Sequence, residues 1–217
     1  MREPEDRCRV VLILPPSDNL DQQATQLEDA LAAGDVATVI LPQYDRDDQQ
    51  FQNVAERLVP IVQANGAAAL IAGDSRIAGR AKADGLHFEG GIEDLRDTLA
   101  KHTPKMIVGA GGAPDRHRAL EIGEAQPDYI FFGKLDGDIK PEPHPKNLGL
   151  GEWWASMVEI PCIVMGGSDV SSVLAVAETG AEFVALRMAV FDHPDGTAAA
   201  VATVNALLDE KAPRFEA

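Results

Sequence analysis

The chain has 217 residues, 45% hydrophobic and 25% charged, so it is long and apolar enough to bury a substantial core. Its formal net charge is -16, from 35 acidic and 19 basic residues. That balance argues against nucleic acid or an anionic membrane surface as a partner, since both need clustered cations. It leaves room for a small phosphate site, which needs only a few N–H groups and one cation.

The ends of the chain and its two cysteines predict a cytoplasmic protein. Residues 1–7 are polar without an apolar signal region, and no segment has the length of a membrane span. Cys8 and Cys162 each begin an apolar run, which indicates buried thiols in a reducing compartment, and their spacing fits no metal site. We expect one domain over residues 1–217, with loose ends at 1–7 and 211–217.

Apolar runs and helical periodicities alternate along the chain. They predict eight strands, at residues 8–14, 36–41, 67–72, 84–87, 105–109, 129–132, 162–165 and 183–186. A predicted helix follows each strand, at residues 20–33, 51–64, 75–82, 92–101, 114–125, 153–159, between the Ser168 cap and Gly180, and 197–208. Residues 134–149 show neither period and predict a long charged loop.

Eight such units fit either an open, doubly wound sheet or a closed (β/α)₈ barrel, the TIM barrel. The count of eight favours the barrel. The glycine fingerprint of a dinucleotide site is absent after the first strand, where Pro15-Pro16-Ser17 stands. We therefore predict a single-domain α/β TIM barrel.

The stretch from residue 160 to residue 187 carries the clearest pattern, which is strand, glycine turn, helix, glycine turn, strand. Gly166 and Gly167 end its first strand, and without Cβ atoms the backbone there can turn N–H groups toward an anion. Barrels often bind phosphate after strands seven and eight, where this stretch falls. The alternative is that the two glycines form only a tight turn.

Three segments together resemble thiamine-phosphate synthase and the related thiazole tautomerases. They are Lys82-Ala-Asp-Gly-Leu-His87 at strand four, Pro127-Asp-Tyr-Ile-Phe-Phe-Gly133 at strand six, and the stretch 160–187. The resemblance runs from about residue 10 to residue 208 and implies the TIM barrel. It also implies an enzyme that joins a hydroxymethylpyrimidine diphosphate to a thiazole phosphate, with Mg²⁺ and basic groups stabilising the diphosphate that leaves.

The resemblance also assigns candidate site residues. Gly166, Gly167, Arg187 and Met188 match the cradle for the thiazole phosphate, and Arg187 adds a cation. Lys140 and His87 are the catalytic candidates, and Asp74 is the candidate Mg²⁺ ligand. Each also has a structural interpretation: a solvated lysine, a core histidine, a salt-bridged arginine. The expected partner is a phosphorylated small molecule, and members of the family often form homo-oligomers.

The chain departs from the family pattern where that pattern is most charged. Gln43 and Asp45 stand in place of the basic pair after strand two, and Glu89-Gly-Gly replaces a metal carboxylate after strand four. Glu89 or Asp74 is the nearest substitute for the missing metal ligand. Three hypotheses stay open: a thiamine-phosphate synthase, a non-catalytic paralogue that binds a phosphorylated small molecule, or a barrel enzyme with another substrate.

Overall fold

The structure is a computed structural model that describes residues 6–215. Eight parallel strands pair in chain order, and β1 also pairs with β8, so the sheet closes into a barrel. The predicted TIM barrel is confirmed. The strands are β1 Arg9–Ile13, β2 Thr38–Pro42, β3 Ala68–Ala72, β4 Gly85–Phe88, β5 Ile107–Ala110, β6 Tyr129–Phe132, β7 Cys162–Met165 and β8 Phe183–Leu186.

Helices surround the barrel because each strand needs its outward face covered. The helices are α1 Leu20–Ala32, α2 Asp48–Ala64, α3 Ser75–Ala81, α4 Ile92–His102, α5 Arg116–Glu124, α6 Pro145–Ala155, α7 Val173–Ala177, α8 Met188–Phe191 and α9 Thr197–Lys211, with a 3₁₀ turn at Val170–Ser172 before α7. Among residues 6–215, no helix is long and apolar enough to cross a membrane.

Alternate strand residues point into the barrel and fill it. Val11, Ile40, Leu70, Phe131 and Ile163 belong to this inner cluster. The residues between them point outward and pack beneath the helices in a second, larger cluster. Side-chain alternation along each strand therefore separates a filled barrel interior from the shell between sheet and helices.

The largest error of the sequence prediction concerns the region after β6. We predicted a loop over 134–149 and a helix over 153–159. In the structure the loop is shorter, because α6 already begins at Pro145 and ends at Ala155. Pro145 stands at the first helical position, which it tolerates because that N–H needs no partner there. Trp154 on α6 is buried and donates its indole N–H to the Ile160 carbonyl at 2.7 Å, so it serves the core.

The ends of the chain are tied to each other where they were predicted to be loose. Arg7 is 1% exposed and donates to Asp209 at 2.8 Å and to Asn205 at 2.9 Å. Arg7 and Arg214 form an antiparallel β-bridge. The prediction was wrong for residues 6–7 and 211–215, since a buried guanidinium holds α9 against the start of β1. Residues 1–5 and 216–217 lie outside the described residues.

Candidate active site

The candidate residues from the sequence all lie toward the carboxyl-terminal ends of the strands, the face on which barrels of this kind carry their active sites. His87 is inside β4, and Asp74 follows β3. Gly166 follows β7 and Arg187 follows β8. Lys140 is in the segment 133–144 between β6 and α6, which we call the β6 loop.

His87 is the centre of a three-residue chain of contacts inside the barrel. Its Nδ1 lies 2.8 Å from the Tyr129 hydroxyl, and its Nε2 lies 3.4 Å from Oε1 of Glu89. The ring also meets Phe131 edge-on at 5.4 Å between centroids. His87 and Tyr129 are buried, whereas the Glu89 side chain is 47% exposed at the mouth. The contacts therefore link the barrel interior to solvent.

The direction of these hydrogen bonds follows from which groups can donate a proton. Glu89 as a carboxylate only accepts, so Nε2 of His87 carries a proton. Burial raises the pKa of the Tyr129 hydroxyl, so it stays protonated and can donate to Nδ1. The hydrogen bond from His87 lowers the pKa of Glu89, although partial burial opposes this, and Lys134 lowers it further. Glu89 is therefore a carboxylate at neutral pH.

Two glycines, Gly109 in β5 and Gly111 directly after it, make room for these side chains. A Cβ on Gly109 would lie 1.9 Å from Cζ of Tyr129. A Cβ on Gly111 would lie 2.9 Å from Oε1 of Glu89 and 3.0 Å from Nε2 of His87. The contacts among His87, Tyr129 and Glu89 can form only because β5 and the residue after it have no side chain at these two positions.

The ends of β7 and β8 form the region predicted to hold a phosphate. We call the segment 166–169 together with Arg187 and Met188 the cradle. Gly167 cannot carry a side chain, since a Cβ there would lie 1.9 Å from the Pro141 carbonyl oxygen. Met188 begins the short helix α8. The β6 loop covers the cradle directly.

Asp138 of the β6 loop binds the cradle through both carboxylate oxygens. Oδ1 accepts from Nε of Arg187 at 2.9 Å, and Oδ2 accepts from the backbone N–H of Met188 at 2.6 Å. The Asp138 side chain is fully buried, and that of Arg187 is 12% exposed. Tyr44, after β2, lies beside Arg187, and its pKa is raised by burial despite the nearby guanidinium.

A cavity of about 550 Å³ opens between the ends of β5 and β6 and the start of α6. Its polar lining includes Lys134, His144, Lys146 and Asn147, and none of its lining residues is acidic. His144 accepts the Lys146 N–H on Nδ1 at 3.2 Å, which leaves its Nε2 as the donor. In a chain of net charge -16, this cavity is a local basic region beside Glu89.

Asp74 does not lie in a metal-binding cluster. Its carboxylate accepts from the side chain of Arg76 at 2.6 Å and from the Arg76 N–H at 2.8 Å, and these bonds lower its pKa to about 2. Among residues 6–215, no three His, Cys, Asp or Glu side chains are grouped so as to hold a metal. The described residues therefore hold no preformed group of three such ligands, and we derive no step through a metal.

The structure thus brings the candidates together in two groups. Arg187, Met188 and the glycine pair meet at the cradle, where Lys140 contributes its carbonyl, and His87 stands apart with Glu89. The Lys140 amine has no hydrogen bond among the described residues and is exposed. Sequence reasoning missed Tyr129, Asp138 and Lys134 as site residues. Tyr129 stood within a quoted motif, but nothing in the sequence singled out Asp138 from the other acids of its loop.

The fold is a (β/α)₈ barrel, and the candidate site residues lie at the carboxyl-terminal ends of its strands. The family model described as thiamine monophosphate synthase matches residues 10–190. Thiamine-phosphate synthase of Rhodospirillum centenum is 36% identical over 207 residues, which cover 93% of this chain and 98% of that protein. That of Hyphomonas neptunium is 33% identical and covers 97% and 98%. The chain belongs to the thiamine monophosphate synthase family.

Solved structures agree on the fold. A thiamine phosphate pyrophosphorylase from Pyrococcus furiosus superimposes with a TM-score of 0.76 at 18% identity, over 95% of this chain and 98% of that one. A geranylgeranylglyceryl phosphate synthase from Thermoplasma acidophilum gives 0.68 at 16% identity, over 94% of both chains. At these identities, the likeness extends to the barrel and its strand order.

Proposed function

We propose that this protein is a thiamine-phosphate synthase. The observation that carries the proposal is the 36% identity to such an enzyme over nearly the full length of both chains. In the reaction, the thiazole nitrogen forms a bond to the methylene carbon of the pyrimidine. The bond from that carbon to the diphosphate oxygen breaks, and the diphosphate leaves with the electron pair.

The site offers both a carboxylate and cations, which suits a reaction that develops positive charge on the pyrimidine and negative charge on the diphosphate. Glu89 is a half-exposed carboxylate at neutral pH and can stabilise positive charge on the pyrimidine. His87 holds that carboxylate in place and is a positioning residue. Lys134, His144 and Lys146 line the neighbouring cavity and can stabilise the departing diphosphate.

The thiazole phosphate is assigned to the cradle, with Gly166, Gly167, Arg187 and Met188 as its binding residues. We assign to Lys140 the role of stabilising negative charge between the two substrates. Its amine makes no hydrogen bond among the described residues, and it belongs to the loop that covers the cradle. Asp74 is retained as the carboxylate to test for Mg²⁺, because Mg²⁺ often uses one protein carboxylate together with substrate phosphates.

The test is an assay of the purified protein with both substrates, with Mg²⁺ and with a chelator in its place. We expect thiamine phosphate and diphosphate in equal amounts. Calorimetric titration with thiazole phosphate alone separates binding from turnover. Binding without product would overturn the proposal and support a phosphate-binding paralogue, and failure of both experiments would leave only the fold.

A further inference from the structure

Five backbone N–H groups of the cradle, those of residues 166–169 and of Met188, have acceptors within the chain. Gly166 donates to the Ala185 carbonyl and Gly167 to the Ser172 hydroxyl, which belong to β8 and to the turn after β7. The other three donors, at positions 168, 169 and 188, turn to the β6 loop. Since these five donors are used, an external anion can bind them only by replacing an acceptor.

The β6 loop supplies acceptors from three residues that are close in sequence, at positions 138, 140 and 141. Ser168 donates to the Lys140 carbonyl at 2.8 Å. Asp169 donates to the Pro141 carbonyl at 3.3 Å. Met188 and Arg187 donate to the Asp138 carboxylate. Residues 138–141 therefore hold the place that the sequence predicts for a phosphate group.

The Asp138 carboxylate offers the cradle the same kind of acceptor oxygens as the phosphate group whose predicted place it holds. A buried carboxylate is costly unless charged or N–H donors surround it, and this one has a guanidinium and a backbone N–H on separate oxygens. Such an arrangement is selective for an anion with two oxygens in one plane, and a phosphate presents the same pair of acceptors with a larger charge.

We propose that Asp138 is a built-in competitor for the cradle, so that a phosphate group binds there only by exchanging with this carboxylate and lifting residues 138–141. The identity of the phosphate ester rests on the proposed function, but the exchange itself does not. Asp138 thereby sets which anions enter: a dianionic phosphate can displace it, whereas a simple carboxylate gains nothing over it. The exposed Ile139 at the tip of this segment moves with it.

The first experiment measures the affinity for inorganic phosphate by calorimetry. We expect Asp138→Asn to bind phosphate at least about tenfold more tightly than the unaltered protein, a change of about 1.4 kcal/mol. Glu142→Gln is the matched control, because it removes the same charge from an exposed position in the same loop. Adding Arg187→Gln to Asp138→Asn must abolish the gain, which ties it to the cradle. Equal affinities for all the proteins, or a gain that survives Arg187→Gln, would overturn the proposal.

A second measurement uses the native Asp138 and so does not depend on how that variant folds. Ile139→Cys places a thiol on the 75% exposed tip, while both native cysteines are buried and resist labelling. An environment-sensitive fluorophore there should change its emission as phosphate saturates the cradle, with the same midpoint as the calorimetry. Phosphate binding that depends on Arg187 but leaves the emission unchanged would show that no exchange occurs.

Neither measurement needs turnover, so the two proposals can fail separately. A protein that makes no thiamine phosphate, yet binds phosphate more tightly as Asp138→Asn, loses the proposed function and keeps the exchange. A protein with full synthase activity and no effect at Asp138 loses the exchange alone.

Discussion

The Tyr129 hydroxyl lies 2.8 Å from Nδ1 of His87, and the two rings are nearly parallel at 15°. Tyr129→Phe would remove this partner and leave a buried ring nitrogen unsatisfied, which typically costs about 1–3 kcal/mol. We expect the free energy of unfolding in urea to fall by that amount. Tyr44→Phe is the control, because Tyr44 is only half-buried and donates to the Leu14 carbonyl. A larger loss in the control would contradict the central place that we give to the His87–Tyr129 pair.

Gly109→Ala tests the space that β5 leaves for Tyr129. The new methyl group would lie 1.9 Å from Cζ of the ring, so the barrel would have to deform. Overpacking of this kind typically costs about 1–3 kcal/mol, measured as a shift of the urea midpoint. Gly79→Ala is the matched control: nothing lies within 4 Å of its Cβ, and it stands inside α3. There we expect a gain of about 0.5–1 kcal/mol.

Glu89→Gln tests the carboxylate at the mouth of the barrel. If Glu89 stabilises positive charge in the transition state, kcat should fall by about 10²–10³-fold while KM changes little. Glu93→Gln, on the exposed start of α4, should leave both unchanged. An unchanged kcat in Glu89→Gln would remove this residue from the mechanism.

The same carboxylate predicts how the protein responds to acid. Because the folded-state pKa of Glu89 is lowered, its contribution to stability is present above the unfolded value of about 4.3 and is lost as pH falls through the lowered value. We expect the stability difference between wild type and Glu89→Gln to be constant from pH 5 to pH 7 and to shrink below pH 4.3. A difference that already shrinks near pH 6 would contradict the lowered pKa.

Lys134→Gln and Lys146→Gln test the basic cavity. Each removes one of its cations, so we expect the affinity for inorganic diphosphate to fall by about tenfold per substitution, in the range of a charged hydrogen bond. Lys101→Gln, on the exposed end of α4, removes the same charge outside the cavity and should have no effect. Equal affinities in the cavity variants and in the control would place diphosphate elsewhere.

Arg7→Ala tests the junction between the two ends of the chain. It deletes the buried donor to Asp209 and Asn205, so we expect a loss of about 1–3 kcal/mol in the free energy of unfolding. Arg57→Ala, at an exposed position on α2, should change it by less than about 0.5 kcal/mol. Similar values for both variants would mean that the junction adds no stability.

The strands were predictable because a buried strand is a short apolar run between turn residues. Those at 129–132, 162–165 and 183–186 have the predicted bounds. The helix α6 was not predictable, because Gly149 and Gly151 weaken its local helical signal. A Cβ on Gly151 would lie 2.5 Å from Cγ2 of Val164 on β7, so that glycine serves close packing. This packing requirement is visible only in the structure, where α6 lies against β7.

The site was predictable to the extent that single residues matched a family motif. His87, Glu89 and Arg187 were named, but the buried partners Tyr129 and Asp138 were not. Asp138 is 49 residues from Arg187 along the chain, and Tyr129 is 42 residues from His87. Local patterns carry no information on such pairs, because closure of the barrel alone brings them together.

The bridge between Arg7 and Arg214 has a practical consequence. It brings the first and last described segments of the chain together just before β1, on the amino-terminal face of the barrel, opposite the candidate site. An affinity tag or a tethered partner joined to the chain next to either segment would therefore be attached on the face opposite the mouth. A short linker could join the two ends, so that the chain could be reopened at a surface loop such as the Asn65-Gly66 turn without disturbing the order of the strands.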